Sequence, residues 1–282
     1  MELEIVRTAA PIGAEVRGID LRKDICTDEF ASIEHLFNEH GVIFFRRQFL
    51  EPADLLRLTG YFGDQQINTF SSTHGLAEYP GVVIVSNIEE QGREIGVKRA
   101  GERWHSDMCY SAKPPRGTIL SAHEVPVKDG LTLGDTCFAA AHAAYDDLPT
   151  AMKQRIDDLR AVFDFAGRVR ATPLTPQQRK AYPTVNHPLV RSHPFTKRNC
   201  LYVMRDDCTG IDGMEDAEAQ QLIVALADHI TRPEYVYRHR WQEGDVLLWD
   251  NCTVQHMAIQ DYDLPLRRLM YRTTFAADDV PT

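Results

Sequence analysis

Three residues of this chain could together bind one metal ion. The segment 104–107 reads Trp-His-Ser-Asp, and a histidine and an aspartate two residues apart on a β-strand project from the same face. His256, far downstream, offers a second imidazole. Two imidazoles and one carboxylate on one face of an octahedral ion leave positions open for a co-substrate and dioxygen, which is typical of iron(II) oxygenases. We therefore predict that His105, Asp107 and His256 bind iron.

Each part of this pattern is weak when it is taken alone. A His-x-Asp triplet is expected about once by chance in a chain of this size. A single histidine such as His256, one of 11 in the chain, is more often a hydrogen-bonded structural residue. A zinc hydrolase would more often use three histidines, or two histidines and a glutamate, so it stays an alternative. The joint pattern is what favours iron.

A basic segment near the C-terminal end of the chain adds a second argument. On a strand over 268–275, Arg268 and Arg272 share one face with Met270, and they lie about 13 Å apart. Two guanidinium groups on one face are costly to bury unless each finds an anion. The pattern indicates two bound anions, although an exposed edge strand with solvated charges would look similar.

Short β-type segments dominate the elements that must position these residues. We predict strands at 41–45, 81–86, 118–125, 161–165, 189–192, 199–204, 235–241, 245–249 and 268–275, and helices from about 52, at 139–145, 151–160 and 215–229. The polar segment from Glu89 to Arg103 is predicted to be a mobile active-site loop. Because strand-helix-strand repeats are few, we predict a mainly β fold with inserted helices on a double-stranded β-helix (jelly-roll) core.

The composition narrows the location and the partners. At 282 residues, with 43% hydrophobic and 26% charged residues, the chain suits one large domain, which we predict over 1–282. A net charge of −10 argues against binding to nucleic acid or to membrane surfaces, since both require basic excess. Scattered cysteines, no signal peptide and no apolar run of about 20 residues favour a cytoplasmic protein. We expect a small-molecule partner and a homo-oligomer.

The order of the motifs is similar to that of the TauD/TfdA family of iron(II)- and 2-oxoglutarate-dependent dioxygenases. The resemblance includes Pro-Ile-Gly-Ala-Glu-Val-Arg-Gly-Ile-Asp-Leu at 11–21 and the W-H-[ST]-D motif. It continues through Leu-Gly-Asp-Thr at 133–136, His-Pro-Leu-Val-Arg-Ser-His-Pro at 187–194, Trp-Asp-Asn at 249–251 and the basic segment at 264–272. It therefore covers nearly the whole chain.

The resemblance implies a role for individual residues. It implies that His105, Asp107 and His256 bind Fe(II), that Arg268 pairs with the distal carboxylate of the co-substrate 2-oxoglutarate, and that Thr136 assists Arg268. A guanidinium suits this role because its planar fork matches a carboxylate and stays charged. Enzymes of this family use dioxygen to convert 2-oxoglutarate to succinate and carbon dioxide while they hydroxylate a second substrate.

The resemblance also implies where that substrate lies. Arg272 falls where taurine dioxygenase holds a sulfonate, Asn68 aligns with a histidine that helps to bind it, and Arg168 aligns with a residue that lines the pocket. Gly101 and Val169 differ from the residues of taurine dioxygenase at the matching positions. The implied substrate is therefore a small organic anion, such as a sulfonate, a sulfate ester or an aryloxy-carboxylate, and not necessarily taurine.

Other notable residues have a structural interpretation. We expect the polar residues of 187–193 to order a loop, the tryptophans of the two motifs to pack as core aromatics, and the basic side chains of 98–103 to be solvated. A non-catalytic jelly-roll protein that binds a metal or an organic anion remains an alternative function. A halogenase would require the carboxylate ligand to be missing, and Asp107 argues against it.

Overall fold

The structure is a computed structural model that describes residues 3–67, 74–165, 175–176, 180, 182–277 and 280–282. The α-helices in this part of the chain are α1 (Thr27–His40), α2 (Pro52–Phe62), α3 (Ala141–Asp146), α4 (Thr150–Ile156) and α5 (Asp216–Ile230). The first strands are β1 (Glu4–Arg7), β2 (Ala14–Arg17), β3 (Val42–Phe45), β4 (Val83–Ser86), β5 (Glu89–Glu90), β6 (Arg93–Glu94), β7 (Gly117–Glu124), β8 (Val127–Lys128), β9 (Leu131–Thr132) and β10 (Thr136–Ala140). They are followed by β11 (Arg160–Phe163), β12 (Val185–Pro188), β13 (Val190–Ser192), β14 (Asn199–Leu201), β15 (Cys208–Ile211), β16 (Val236–His239), β17 (Val246–Asp250), β18 (Val254–Ala258) and β19 (Leu269–Phe275).

Two sheets pack against each other to form the jelly-roll core. The larger sheet has the order β1-β2-β3-β17-β7-β19-β4 and is antiparallel except where β2 lies beside β3. The smaller sheet has the order β16-β10-β18 and is antiparallel. Phe138 of the smaller sheet and Trp249 of the larger one meet with ring centroids 5.7 Å apart. The predicted fold class is therefore confirmed.

Strand β17 shows why the larger sheet needs apolar layers on both of its faces. Leu247 and Trp249 point into the core between the sheets, whereas Val246 and Leu248 point into a second cluster beneath α1 and α2. All four side chains are buried, so the strand reads as a continuous apolar run. Each such burial contributes about 1.5–3 kcal/mol. The sheet is thereby a rigid platform for the side chains at its inner face.

Helix α1 begins and ends at residues that suit those positions. Glu29 accepts a hydrogen bond from the backbone N–H of Cys26, at 3.0 Å, and this closes the first turn. At the other end, the N–H of Gly41 donates to the carbonyl of Phe37 at a φ of 66°. A Cβ on Gly41 would lie 2.7 Å from Cγ2 of Thr253. Only glycine therefore allows the chain to turn directly from α1 into β3.

Most of the predicted elements are confirmed with ends that shift by a few residues, but some predictions are wrong. The predicted helix at 139–145 begins only at Ala141, because 136–140 form β10 between two other strands. Strand β18 and helix α1 have no counterpart among the predicted elements. In β18 the apolar residues are interrupted by a glutamine and a histidine, both buried, so the alternation that a half-exposed strand gives is missing.

The prediction that His105 and Asp107 lie together on a β-strand is also wrong. His105 forms an isolated bridge with His256, and the chain enters a turn at Asp107 and Met108, where φ of Met108 is 47°. The hydroxyl of Ser106 donates to a backbone carbonyl at Asn251, and this holds the turn against the end of β17. The two side chains therefore meet because of a turn and not because of strand periodicity.

The segment from Glu89 to Arg103 has more regular structure than the predicted loop. It contains the hairpin β5-β6, which turns through two residues with positive φ at 91–92. Beyond the hairpin, the N–H of Val97 donates to β4 at 2.9 Å. The carbonyl of Gly101 then accepts a hydrogen bond from Ala258 at 2.7 Å. The segment is thus tied to both sheets before it reaches His105.

All six cysteines lie in the described part of the chain, and each is a free thiol. Among the residues that the structure describes, no helix combines the length and the apolar character that crossing a membrane requires.

Candidate metal centre

A pair of backbone hydrogen bonds sets the two histidines of the site side by side. The N–H of His105 donates to the carbonyl of His256 at 3.1 Å, and the N–H of His256 donates to the carbonyl of His105 at 2.8 Å. The two imidazole rings consequently lie with centroids 4.1 Å apart. The Nδ1 atom of His105 lies 2.7 Å from the carbonyl of Arg103, so its Nε2 faces the site.

Two neighbours position Asp107 and its carboxylate. Its backbone N–H donates to Oδ1 of Asn251 at 3.4 Å, and the hydroxyl of Thr118, on β7, donates to its Oδ2 at 2.6 Å. The other oxygen, Oδ1, is left facing the two histidines. Outer hydrogen bonds of this kind fix the direction in which a metal ligand points.

The three side chains converge on one small volume. Nε2 of His105 and Nε2 of His256 each lie 3.7 Å from Oδ1 of Asp107. This is too long for a hydrogen bond, and the donor atoms of the three residues all lie within 4.8 Å of one another. An ion bonded to each donor at about 2.0–2.2 Å would hold neighbouring donors roughly 3 Å apart, so binding would draw the three side chains together. The donor set therefore fits a divalent transition metal.

The electrostatics favour the protonation states that a metal needs. Burial alone would raise the pKa of Asp107, but Arg272, then the two histidines and Thr118, outweigh it and hold that pKa well below its usual value. Burial, followed by the proximity of His105, holds the pKa of His256 far below that of a free imidazole. A carboxylate and a neutral imidazole are therefore ready to donate electron pairs.

Arg272 lies directly against this cluster. Its Nη2 is 2.7 Å from Oδ1 of Asp107, and its Nε has no hydrogen-bond partner among the described residues. On the same strand, Thr273 points the other way and hydrogen-bonds Thr59 of α2, while Met270 packs in the core between the sheets. The predicted alternation of β19 is confirmed. Asp107, a residue of the cluster itself, is therefore one anion that pairs with the guanidinium of Arg272.

Arg268 is a buried guanidinium just before β19. It is 4% exposed, and its Nε has no hydrogen-bond partner in the described part of the chain. Its backbone N–H donates to Oδ1 of Asn87, and its carbonyl accepts from Ser86, which fixes where the side chain begins. Burial lowers the pKa of Arg268, and nearby Tyr262 partly reverses the effect. Such a cation needs an anion to offset its desolvation.

The Leu-Gly-Asp-Thr motif packs against Arg268. A Cβ on Gly134 would lie 2.8 Å from the ring of Tyr262 and 3.2 Å from Nε of Arg268, and its φ is 74°. Only glycine therefore lets the chain pass this close. Two residues later, the hydroxyl of Thr136 accepts a hydrogen bond from Nε1 of Trp241 at 3.0 Å. The oxygen of Thr136 keeps its own proton to donate.

Aromatic rings enclose His256. Trp249 lies with its ring centroid 4.7 Å from that of His256, and Phe138 stacks at 6.0 Å. Nε1 of Trp249 donates to Oδ1 of Asn251, the same oxygen that orients Asp107. The Trp-Asp-Asn motif thus supports both ends of the cluster. These contacts limit the access of water to the histidine.

The structure brings together most, but not all, of the predicted site residues. His105, Asp107, His256 and Arg272 form one cluster. Arg268 lies just before β19, on the other side of a register shift between Leu269 and Met270. Two predicted substrate contacts, Asn68 and Arg168, and the neighbouring Val169 lie outside the described residues. The sequence analysis missed four supporting residues: Thr118, Asn251, Gly134 and Tyr262. Asn251 and Gly134 belong to quoted motifs, whereas Thr118 has no local signal.

Some residues to which we gave a structural interpretation have the expected contacts, although 187–192 lies largely in β12 and β13 and not in a loop. Lys98 and Arg99 form exposed ion pairs with nearby glutamates. His187 lies 3.0 Å from the carbonyl of Ser111, and His193 bonds Asp250.

Comparisons with known proteins agree with this geometry. The family described as taurine catabolism dioxygenase TauD, TfdA matches residues 5–274. The alpha-ketoglutarate-dependent 2,4-dichlorophenoxyacetate dioxygenase of Cupriavidus pinatubonensis is 33% identical, and the alignment covers 95% of each chain. The alpha-ketoglutarate-dependent sulfate ester dioxygenase of Pseudomonas putida is 30% identical over 99% of this chain and 91% of its own. A solved structure of AAD-2 with Mn(II) and N-oxalylglycine superimposes with a TM-score of 0.84, at 28% identity and full coverage of both chains.

Proposed function

Because this chain belongs to the TauD, TfdA family and is an Fe(II)- and 2-oxoglutarate-dependent dioxygenase, we propose which of its residues perform each part of the reaction. His105, Asp107 and His256 bind the iron. Arg268, assisted by Thr136, binds the distal carboxylate of 2-oxoglutarate. Arg272 binds the anionic group of the substrate that is hydroxylated.

The observation that carries this proposal is the convergence of three donor atoms on one point. The Nε2 atoms of His105 and His256 face the same oxygen of Asp107 without hydrogen-bonding to it. Two neutral nitrogens and one carboxylate oxygen suit Fe(II), and a one-sided set of ligands leaves coordination positions for other groups.

The protein positions the reactants and excludes water, while the bound groups supply the hard chemistry. When bound, Fe(II) and 2-oxoglutarate would supply the activation of dioxygen, with succinate and carbon dioxide as co-products. Arg268 offers its unpaired Nε to a carboxylate, and burial makes that pairing strong and directional. Trp249 and Phe138 hold His256 in place and keep it dry. Thr118 bonds Oδ2 of Asp107 and so keeps Oδ1 directed towards the two histidines.

The position of Arg272 is our reason for proposing an anionic substrate. Its guanidinium lies at the metal cluster and is one-fifth exposed, so an anion that binds it would have a carbon close to the iron. The two relatives named above act on a phenoxyacetate and on sulfate esters, both of which are organic anions. A Cβ on Gly101 would lie 3.2 Å from the ring of His105, so glycine leaves space there. We assign this chain a small carboxylate, sulfonate or sulfate ester.

The arrangement of the chain supports further parts of the proposal. A single catalytic domain spans 1–282, and the segment from Glu89 to Arg103 borders the substrate. Its hydrogen bonds to β4 and to Ala258 hold the segment in place just before His105.

Six free thiols are consistent with a reducing, cytoplasmic compartment. Light scattering would test the homo-oligomer, which stays a prediction.

Succinate formation tests the proposed function. Purified protein receives Fe(II), ascorbate and 2-oxoglutarate under air, with phenoxyacetates, alkyl sulfates, alkylsulfonates and taurine as separate substrates. We expect succinate to rise above the substrate-free rate for one anion class, and the corresponding uncharged amide or alcohol to have no effect. If no anion stimulates succinate formation and Arg272→Met leaves the substrate-free rate unchanged, Arg272 does not bind the anionic group of a substrate. Absence of both turnover and 2-oxoglutarate binding would favour a non-catalytic binder.

A further inference from the structure

The fold holds Arg268 and Arg272 in different ways. Arg272 lies within β19, where it pairs with Val83 of β4 and with Leu120 of β7, so strands flank it on both sides. Arg268 lies one residue before β19 begins. The ladder of the sheet therefore does not include the arginine that we assign to 2-oxoglutarate.

The strand pairing is also irregular right beside Arg268. The pairing of β19 with β7 shifts register between Leu269 and Met270, and it passes over His123. An extra residue of this kind is a β-bulge, which bends the strands locally and interrupts their hydrogen bonds. Strand pairing alone therefore does not fix the position of Arg268, and other contacts must hold its backbone.

Two side chains at the end of β4 supply those contacts. Oδ1 of Asn87 accepts a hydrogen bond from the N–H of Arg268 at 2.9 Å, and Oγ of Ser86 donates to the carbonyl of Arg268 at 2.7 Å. Nδ2 of Asn87 also donates to the carbonyl of Leu266 at 2.9 Å. The carboxamide thus spans the chain on both sides of Arg267. Both side chains are buried, which strengthens these bonds.

The guanidinium of Arg268 has little free space around it. A Cβ on Gly134 would lie 3.2 Å from its Nε, and the ring centroid of Tyr262 lies 5.9 Å from its central carbon. A small rotation at the Cα of a long side chain moves its end group further than its beginning. A bidentate contact with a carboxylate requires the planar fork to be correctly oriented. The contact therefore depends on how firmly the backbone of Arg268 is held.

We propose that Asn87, supported by Ser86, is a positioning residue for co-substrate binding and acts through Arg268. Its carboxamide fixes the backbone from which the guanidinium reaches the distal carboxylate. This inference rests on the role of Arg268 in the proposed function. Because Arg272 is held by strand pairing, Asn87 should govern the affinity for the distal carboxylate and not the affinity for the metal.

Two ligands that differ only at the distal carboxylate test this role. N-oxalylglycine carries both carboxylates, and oxamate is the same molecule without its carboxymethyl group. Calorimetric titration of Mn(II)-loaded protein gives the ratio of the two affinities. Wild-type protein should prefer N-oxalylglycine by about 10–100-fold, since oxamate lacks the charge-assisted hydrogen bonds. Asn87→Leu keeps the size of the side chain but makes neither hydrogen bond. It should reduce the preference about tenfold and leave the affinities for oxamate and for Mn(II) unchanged.

A purely structural role for Asn87 predicts a different result. It would weaken both ligands alike, together with a lower melting temperature, and that result would overturn the proposal. Ser86→Ala is a milder second variant that removes the hydroxyl bonded to the carbonyl of Arg268, and it should reduce the preference a few-fold. Ser121→Ala is the matched control and should keep the wild-type preference. Ser121 is also buried in the sheet, and its hydroxyl has no hydrogen-bond partner among the described residues.

Arg268→Ala separates this inference from the proposed function. If it abolishes the preference while Asn87→Leu leaves the preference intact, Arg268 binds the carboxylate without Asn87, and the inference alone is overturned. If Arg268→Ala itself keeps the preference, the role of Arg268 is wrong and the inference falls with it. Protein with both substitutions should show the same preference as Arg268→Ala alone, because Asn87 acts through Arg268. A further loss in the double variant would contradict that route.

Discussion

Asp107 and Asp250 are both buried and both lie beside an arginine and a histidine. At Asp250, every oxygen is engaged: Oδ1 forms an ion pair with Arg116 and accepts a hydrogen bond from the N–H of Cys252, and Oδ2 accepts from His193. At Asp107, Oδ1 faces two histidine nitrogens at 3.7 Å, beyond hydrogen-bonding distance, in addition to its contact with Arg272.

The pKa does not separate these two regions. Burial raises the pKa of each aspartate, and the neighbouring arginine with its histidines outweighs burial, so both carboxyls titrate well below their usual range. The difference lies in the histidine nitrogens, because Nε2 of His193 bonds Asp250 at 2.8 Å whereas the Nε2 atoms of His105 and His256 lie 3.7 Å from Asp107. The Asp250 region is a closed ionic network, whereas the Asp107 region presents nitrogen lone pairs that can be donated to a metal ion. The placement of the histidine nitrogens, and not a perturbed pKa, therefore distinguishes the candidate metal centre from the Asp250 network.

The largest expected effect comes from Asp107→Ala. Loss of an outer-shell partner typically lowers metal affinity about 10–100-fold, so loss of a direct ligand should lower it by more than ~100-fold and abolish turnover. The melting temperature of the apoprotein should stay near that of wild type, because Arg272 is partly solvated and can reorient. Metal titration followed by mass spectrometry measures the affinity. Full activity of this variant would end the assignment of Asp107.

Arg116→Met should act in the opposite way. It leaves the buried Asp250 without its cation, which typically costs about 3–5 kcal/mol of stability. The metal affinity of the protein that remains folded should not change. Urea denaturation gives the free energy of unfolding, and Arg155→Met is the matched control, since Arg155 forms an exposed ion pair worth about 0–1 kcal/mol. Equal losses of unfolding free energy in the two variants would show that Arg116 does not stabilise the buried charge of Asp250.

Acid should destabilise the protein by protonating two buried histidines, His142 and His187, before it protonates Asp250. Burial lowers the pKa of His142 and of His187 to about 4 from the 6.5 of a free imidazole. The unfolded chain therefore binds protons on these residues at a higher pH than the folded chain. Stability is full above pH 6.5 and falls as the pH drops towards 4, by about 2 kcal/mol per histidine at pH 5.

Urea denaturation at pH 7 and at pH 5 measures this loss of stability. A His187→Gln variant should lose less stability over the same interval, because it removes one of the two groups. The result that contradicts the expectation is an equal free energy of unfolding at both pH values in the wild-type protein.

Arg268→Ala should weaken the binding of 2-oxoglutarate by about 10–100-fold, since charge-assisted hydrogen bonds contribute roughly 1.5–3 kcal/mol. The neighbouring Arg267 is a matched control, because it is exposed and engaged by both oxygens of Glu124. Arg267→Ala should leave the affinity unchanged. Anaerobic calorimetry with Mn(II)-loaded protein measures both. Equal affinities in the two variants would remove Arg268 from the co-substrate site.

The smallest expected effect is that of Thr118→Val, which keeps the shape but removes the hydroxyl that donates to Asp107. Metal affinity should fall by about tenfold. Thr273→Val is the control, because Thr273 lies on the opposite face of β19 and bonds Thr59. A similar loss of metal affinity in both variants would mean that orientation of Asp107 is not the cause.

The sequence was sufficient to name the three side chains that converge at the candidate metal centre and the order of most elements, but not the geometry that joins them. His105, Asp107 and His256 were found because a metal requires these residue types and because the motifs stand in family order. The strand predicted through His105 was wrong, since the turn at Met108 depends on a hydrogen bond from Ser106 to a distant strand.

The closed network could not be predicted for a similar reason. Asp250, Arg116 and His193 meet only through pairing of strands that are far apart in the chain. Their residue types are equally common on protein surfaces, and no spacing links them. Thr118 likewise lies on another strand from the carboxylate that it orients. Contacts of this kind depend on register, which local patterns do not specify.

A crystal structure of this protein with Mn(II) and N-oxalylglycine tests the central claim most directly. The manganese stands in for Fe(II), and N-oxalylglycine carries the same two carboxylates as 2-oxoglutarate. We expect the ion bonded to Nε2 of His105, Nε2 of His256 and a carboxylate oxygen of Asp107, with the distal carboxylate of the analogue on Arg268. An ion bound at any other residues, or a distal carboxylate that does not contact Arg268, would contradict the account.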